Sequence, residues 1–328
     1  MGCNSMRRLA FQPEFTNHCN FKCRFCPHSV YRKRSEGGNQ FNREKGFMSD
    51  ELFNLVLENS EKYANLVTIG FFGEPMLHPK FEDYVKLFPA NRGYHLEINT
   101  NWSLVTKENM DTLKRFDYVR ISLDASYSAL WERLCPGVAI LDLNGVPRQD
   151  RYDTITEKLE YWFNLPEHAP TRLVYVVSSV NEHDRNKFVK EWRQKLGSRD
   201  HILTKSVLSY GGVMTDANIN KKGMCNIISQ PCFTIAWNGD CSPCNLDVNM
   251  ELNVGNLLEL GDMKKIIEGD KWKQVMSGIK QKTGICANCV DANSYTESKK
   301  HYRRRTIGNL RAFIKKTSAK VAVRNTQG

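Results

Sequence analysis

Over the first two hundred residues, short runs rich in β-branched and aromatic residues alternate with stretches whose apolar positions recur every three to four residues. The runs at 9–16, 66–72, 94–100, 118–124, 173–180 and 201–208 read as strands. The segments 49–57, 81–88, 107–116, 155–163 and 184–196 read as helices, the first opening on the capping run Ser49-Asp50-Glu51. Strands that alternate with helices are joined by crossovers and pair in parallel, so the pattern predicts an α/β fold of about six β/α units. The texture changes at Gly211-Gly212. A polar stretch to Gly223 reads as a linker or loop, and Phe233-Thr-Ile-Ala-Trp237 then runs into Asn238-Gly239, a strong hairpin signal. The expected organisation is a core domain over 1–210, a small cysteine-rich domain over 211–295 and a basic tail over 296–328.

Composition adds little to this until it is located. The chain has 328 residues, 41% hydrophobic and 25% charged, as an ordinary globular protein does. Its net charge of +11 sits mainly in residues 291–328, where ten Lys and Arg face Asp291 and Glu297. Such a tail is a solvated end or meets an anionic surface; with so little excess charge elsewhere, nucleic acid is not the expected partner. No apolar run reaches the length of a membrane span. Eleven Cys without a recognisable signal peptide argue for a reducing, cytoplasmic setting and for metal ligation in place of disulfides.

The cysteines carry the chemistry. Cys19-x3-Cys23-x2-Cys26 puts three thiolates directly after the first strand. Three Cys ligands on a 4Fe–4S cube leave one iron open to a non-protein ligand; zinc with a distant fourth ligand is the alternative. Phe25 before the last Cys completes a Cys-x3-Cys-x-aromatic-Cys form, which resembles the signature of the radical S-adenosylmethionine (SAM) superfamily. The resemblance implies a partial (β/α)6 TIM-like barrel, SAM on the open iron, and Phe25 near its adenine. It also implies that the turn Gly73-Glu74-Pro75 after the second strand meets the SAM amino group, with Phe72 where relatives carry Gly. Asn101, Ser122 and Asp124, at the ends of the third and fourth strands, are then candidates for ribose or substrate, and Arg133 for the SAM carboxylate. Taken singly, Asn or Asp at a strand end is more often a turn former.

Six further Cys fall between residues 225 and 289. Cys232 and Cys244 on the hairpin, Cys286-x2-Cys289, and the Gly255-Asn256-Leu257 run resemble a SPASM or twitch domain, which implies a second, auxiliary 4Fe–4S cluster. A four-cysteine zinc ribbon is the alternative. Cys225 and Cys241 are surplus: either buried small residues or hydrogen-atom donors to a substrate radical, with Cys241 able to replace Cys244 as a ligand. The implied activity is a radical SAM oxidoreductase fed by an electron donor such as flavodoxin or ferredoxin. The expected substrate is a small sugar- or aminocyclitol-type alcohol. Epimerisation of a similar substrate, peptide or protein oxidation, and a non-enzymatic iron–sulfur or zinc module are the competing readings.

Overall fold

The computed structural model describes residues 9–30, 40–216, 225, 227 and 231–291, so the expected basic tail lies outside the described residues. The strands come in chain order as β1 (Leu9–Pro13), β2 (Ala64–Ile69), β3 (His95–Thr100), β4 (Tyr118–Ser122), a two-strand ladder of β5 (Ile140–Leu141) and β6 (Pro147–Arg148), then β7 (Thr171–Val177) and β8 (His201–Ser206). Strands β1, β2, β3, β4, β7 and β8 pair in that order, and each of those ladders is parallel. The crossovers carry α1 (Asp50–Tyr63), α2 (Phe81–Leu87), α3 (Met110–Leu113), α4 (Ser128–Leu134), α5 (Arg151–Asn164) and α6 (Arg185–Arg193). The expected partial barrel is therefore present.

Alternation decides which face is dry. Phe11, Val67, Leu96, Ile98, Val119, Ile121, Leu173 and Tyr175 are completely buried and face the helices. Burying a side chain of this size contributes about 1.5–3 kcal/mol. The opposite, concave face carries Gln12, Glu97, Asn99, Arg120 and Arg172 on the same strands. Helix α1 starts where Ser49 accepts a hydrogen bond from the Leu52 amide at 3.2 Å, and buries Leu52, Phe53 and Val56.

Two boundaries differ from expectation for local reasons, and one short ladder is added. Strand β2 stops at Ile69 because Gly70 takes φ +100°. The expected helix over 107–116 shrinks to α3 because the Asn109 side chain bonds the Leu104 carbonyl and the Thr106 amide, holding the chain in a turn. The β5–β6 ladder was signalled by Asn144-Gly145, a hairpin pair between short apolar runs.

The cysteine-rich region is less separate than expected. Strand β9 (Cys232–Ile235) adds to β1 in parallel, and β10 (Asp240–Ser242) and β11 (Gly255–Asn256) continue the same sheet outward. Three helices follow: α7 (Leu257–Leu260), α8 (Met263–Glu268) and α9 (Asp270–Gln281). Trp272 of α9 stacks on Phe233 of β9 at 5.1 Å, and Asn59 and Tyr63 of α1 bond Gly261 and Asp262. One nine-stranded sheet thus runs through both regions.

Candidate active site

The loop after β1 is held from several sides before any ligand is considered. Glu14 is fully buried and accepts both Arg43 guanidinium nitrogens, at 2.6 and 2.7 Å. Asn17 donates to the Glu44 carbonyl and accepts from the Gly46 amide, and Thr16 donates to the Gly46 carbonyl. On the far side, the Lys22 and Arg24 amides bond the carbonyls of Pro136 and Leu134 at the end of α4. Cys19, Cys23 and Cys26 therefore sit on a preset loop, each partly exposed. Burial pushes the Cys26 thiol up to about 12 and the Cys19 thiol higher still; a hydrogen bond with Cys135, then burial, raises Cys23. Thiols in this setting stay protonated until a metal displaces the protons, so metal loading releases protons. Phe25 is half-buried against the main core.

The turn after β2 docks on this loop. Gly73 has φ +88°, and a Cβ there would lie 2.5 Å from the Thr16 carbonyl oxygen and 2.6 Å from that of His18. Only Gly fits so close to the backbone leading into Cys19. Glu74 donates its amide to the His18 carbonyl at 2.8 Å, and Pro75 opens the short helical turn that follows.

The Glu74 side chain ties this turn to the neighbouring strand. It is 1% exposed, and its carboxylate accepts from the Asn101 amide at 2.7 Å, the Thr100 hydroxyl at 2.9 Å and the Met76 amide at 3.2 Å. It therefore ties the turn after β2 to the end of β3, with its oxygens engaged by this chain's own donors. Burial outweighs those bonds and pushes its carboxyl up to about 7. Glu74→Ala would strand two partly buried amides and a buried hydroxyl, and is expected to lower unfolding stability by about 2–4 kcal/mol. Denaturant unfolding checks this, and a loss below about 1 kcal/mol would remove the tie from the account.

Asn101 accepts from Ser103 and donates to Asn20, bridging the end of β3 to the cysteine loop. Ser122 stands exposed at the end of β4. Asp124 is buried, accepts from the Val176 amide at 2.6 Å, and is pushed up to about 7 by burial. Arg133 is not brought to the site; it lies exposed on α4. The guanidinium beside the cysteine loop is that of Arg151, which donates to the Cys135 carbonyl at 3.1 Å, pairs with Glu132 and lies 5.2 Å over Trp131. No local pattern marks Arg151. Lys158 did carry a signal, as a lysine on the apolar face of Ile155, Leu159 and Trp162. It is fully buried and donates to the carbonyls of Trp102, Ser103 and Leu141, fixing the loop after β3 where Trp102 takes φ +67°.

The second thiol set is Cys225, Cys244, Cys286 and Cys289, which line one cavity with Ile227, Leu246, Leu252, Ile279 and Ile285. This corrects two expectations. Cys232 is not in the set: it lies in the β1–β9 ladder with its sulfur 3.8 Å from Gln12 Oε1 on the concave face. Cys241 is neither a ligand nor a thiol at the barrel mouth, because it is completely buried in the core with its sulfur 3.5 Å from the Gly239 carbonyl. Among the described residues no three His, Cys, Asp or Glu side chains converge as a single-ion site would require. Four thiols lining one apolar cavity make up the full ligand set of a 4Fe–4S cluster. Asp291 links this cavity to the barrel by accepting from the amide and hydroxyl of Ser209, just past β8.

Residues 14–190 match the profile of the Radical SAM superfamily. The chain belongs to that superfamily. Residues 225–290 match SPASM, an iron–sulfur cluster-binding domain, in a match that opens on Cys225 itself. This radical SAM protein takes a 4Fe–4S cluster and SAM, and its SPASM region takes auxiliary iron–sulfur. Among curated proteins it is 35% identical, over 69% of this chain and 59% of the other, to a tungsten-containing aldehyde ferredoxin oxidoreductase cofactor-modifying protein of Pyrococcus furiosus. It is 21% identical, over 88% of this chain and 95% of the other, to a SAM-dependent 2-deoxy-scyllo-inosamine dehydrogenase of Niallia circulans. Among solved structures, Streptococcus suis SuiB bound to precursor peptide SuiA superposes with a TM-score of 0.61 at 14% identity, covering 83% of this chain and 67% of that one. That last likeness is one of fold. Among the described residues no helix is long and apolar enough to cross a membrane.

Proposed function

We propose that this chain is a radical SAM oxidoreductase that oxidises an alcohol of a small sugar- or cyclitol-type substrate to the carbonyl, with loss of the carbon-bound hydrogen atom, one further electron and the hydroxyl proton. With cofactors bound, the two thiol sites supply a 5′-deoxyadenosyl radical that takes one hydrogen atom, and an acceptor for the second electron. The observation that carries the reading is the complete four-thiol cavity, tied to the rim of the barrel through Asp291 and Ser209. The protein's own part is positioning. Gly73 and Glu74 lock the β2 turn to the cysteine loop, Asn101 and Lys158 hold the β3 loop, and Asp124 joins the ends of β4 and β7. The first electron comes from an external donor of flavodoxin or ferredoxin type. The dehydrogenase among the relatives favours a small molecule over a peptide.

Cys232 favours a second reading, redox-neutral epimerisation. Its thiol faces the interior of the barrel beside Gln12, and burial pushes it up to about 12, so it holds its hydrogen at neutral pH. A thiol so placed is able to return a hydrogen atom to a substrate carbon that reaches down the barrel toward the level of Ala10, beside which Cys232 lies. The experiment runs the reconstituted, dithionite-reduced enzyme with SAM and a panel of cyclitols and sugars in deuterated buffer. A ketone or aldehyde product, unchanged in Cys232→Ala, is the expected result. Deuterium at the reacting carbon that disappears in Cys232→Ala would make epimerisation the answer.

A further inference from the structure

The concave face of the barrel carries more positive charge than it neutralises. On β7, Leu173, Tyr175 and Val177 face the helices, and Tyr175 packs its ring 4.7 Å from Phe188 of α6. Arg172, Val174 and Val176 therefore face the interior. Arg172 lies beside Arg120 in the β4–β7 ladder, and Lys205 lies beside Val176 in the β7–β8 ladder, on the same face nearer the mouth. Arg120 pairs with buried Glu97 and remains 25% exposed. Arg172 lies 5.2 Å over the ring of Tyr118, and among the described residues no carboxylate comes within ion-pair distance of Arg172 or Lys205. The carboxyl that acts on Lys205 is Asp124, which is bonded to the Val176 amide. Burial, and then the Arg120 charge, push Arg172 down to about 10. Like charges held together on a partly dehydrated face are relieved by an anion.

We infer that this face binds a phosphoryl group of the substrate, with Arg120 and Arg172 as its floor and Lys205 at the rim. Three cations against Glu97 and Asp124 leave this face net positive, and the two neighbouring guanidinium groups offer more donors than one carboxylate takes up, which suits the several oxygens of a phosphoryl group better. They oppose an ammonium, so the substrate differs in charge from the inosamine named for the Niallia circulans relative. The geometry also orients the substrate. Arg172 is the second residue of β7, near the end remote from the mouth, while the cysteine loop follows β1 at the mouth. A phosphate on the floor therefore turns the rest of the molecule toward the cysteine loop. The inference rests on the proposed small-molecule reading for where the substrate lies.

The test uses the full, reconstituted protein at low salt with inorganic phosphate, acetate, glucose 6-phosphate, glucose and glucosamine as probes, read by equilibrium dialysis. Phosphate and glucose 6-phosphate should bind saturably, with acetate, glucose and glucosamine weaker. Arg172→Gln and Lys205→Gln should each weaken phosphate binding about tenfold or more. Iron content reports that each variant has folded, and exposed Lys205 keeps the test available if Arg172→Gln does not fold. Acetate binding as tightly as phosphate would make the group a carboxylate and overturn the assignment. So would glucosamine binding more tightly than glucose 6-phosphate, no phosphate binding, or equal binding by both variants. SAM cleavage by the unsubstituted protein is measured separately, so failure of the radical chemistry is told apart from failure of the anion site.

Discussion

Replacing Cys19, Cys23 and Cys26 together by Ala will halve the iron of the reconstituted protein and abolish its SAM cleavage. Two full clusters amount to roughly eight irons per chain, and the triple variant should keep about four. The two thiol sets belong to different parts of the chain, one on the loop after β1 and one around a cavity built from residues 225–289. The loop does not depend on its thiols for shape. The Glu14–Arg43 pair, the Asn17 bonds to Glu44 and Gly46, and the Lys22 and Arg24 bonds to the end of α4 all survive the substitution. The variant should therefore fold and load the auxiliary site. Anaerobic iron and sulfide analysis, with 5′-deoxyadenosine as the readout of SAM cleavage, checks both halves. Loss of all iron would show that the sites load as one unit, and surviving cleavage would remove the triplet from the chemistry.

Much of the fold was legible because local patterns and global topology agree. Alternation on each strand, helical spacing between strands and the Asn238-Gly239 hairpin all point to one architecture, and the sheet follows it. The part of the site that depends on backbone was legible too: Gly73 needs its positive φ and its close approach to Thr16 and His18. What escaped was set by contacts distant in sequence. Arg151 reaches the cysteine loop through the end of α4, and nothing local distinguishes it from Arg133. Glu74 matches a family motif, but its donors come from the end of β3 as well as its own turn, so only the folded chain shows its oxygens engaged. Cys232 sits at the head of a β-rich run and reads naturally as the first ligand of the hairpin. The fold places it elsewhere, because β9 pairs with β1 and turns the thiol to the concave face, a partnership spanning more than two hundred residues.

That difference between Cys232 and Cys225 leads to the second large effect. Cys225→Ala is expected to cost the auxiliary site its full complement, about four irons on ligand counting, whereas Cys232→Ala keeps roughly eight. The argument is one of position. Cys225 shares its cavity with Cys244, Cys286 and Cys289. The cavity wall is braced without it: Asp247 accepts from Ser242, Glu251 and Leu252 around Cys244, and the Cys289 amide bonds the Cys286 carbonyl. Removing the Cys225 thiol therefore deletes a ligand and leaves the fold of the site in place. Cys232, separated from this cavity by its place in the β1–β9 ladder, has no sulfur to contribute. Iron and sulfide counts on both variants, with electron paramagnetic resonance of the reduced proteins, settle the assignment. Full iron in Cys225→Ala with half lost in Cys232→Ala would return the ligand to the hairpin. In that case β9 must part from β1 when the cluster binds, and the concave face would lose the thiol on which the epimerase reading depends.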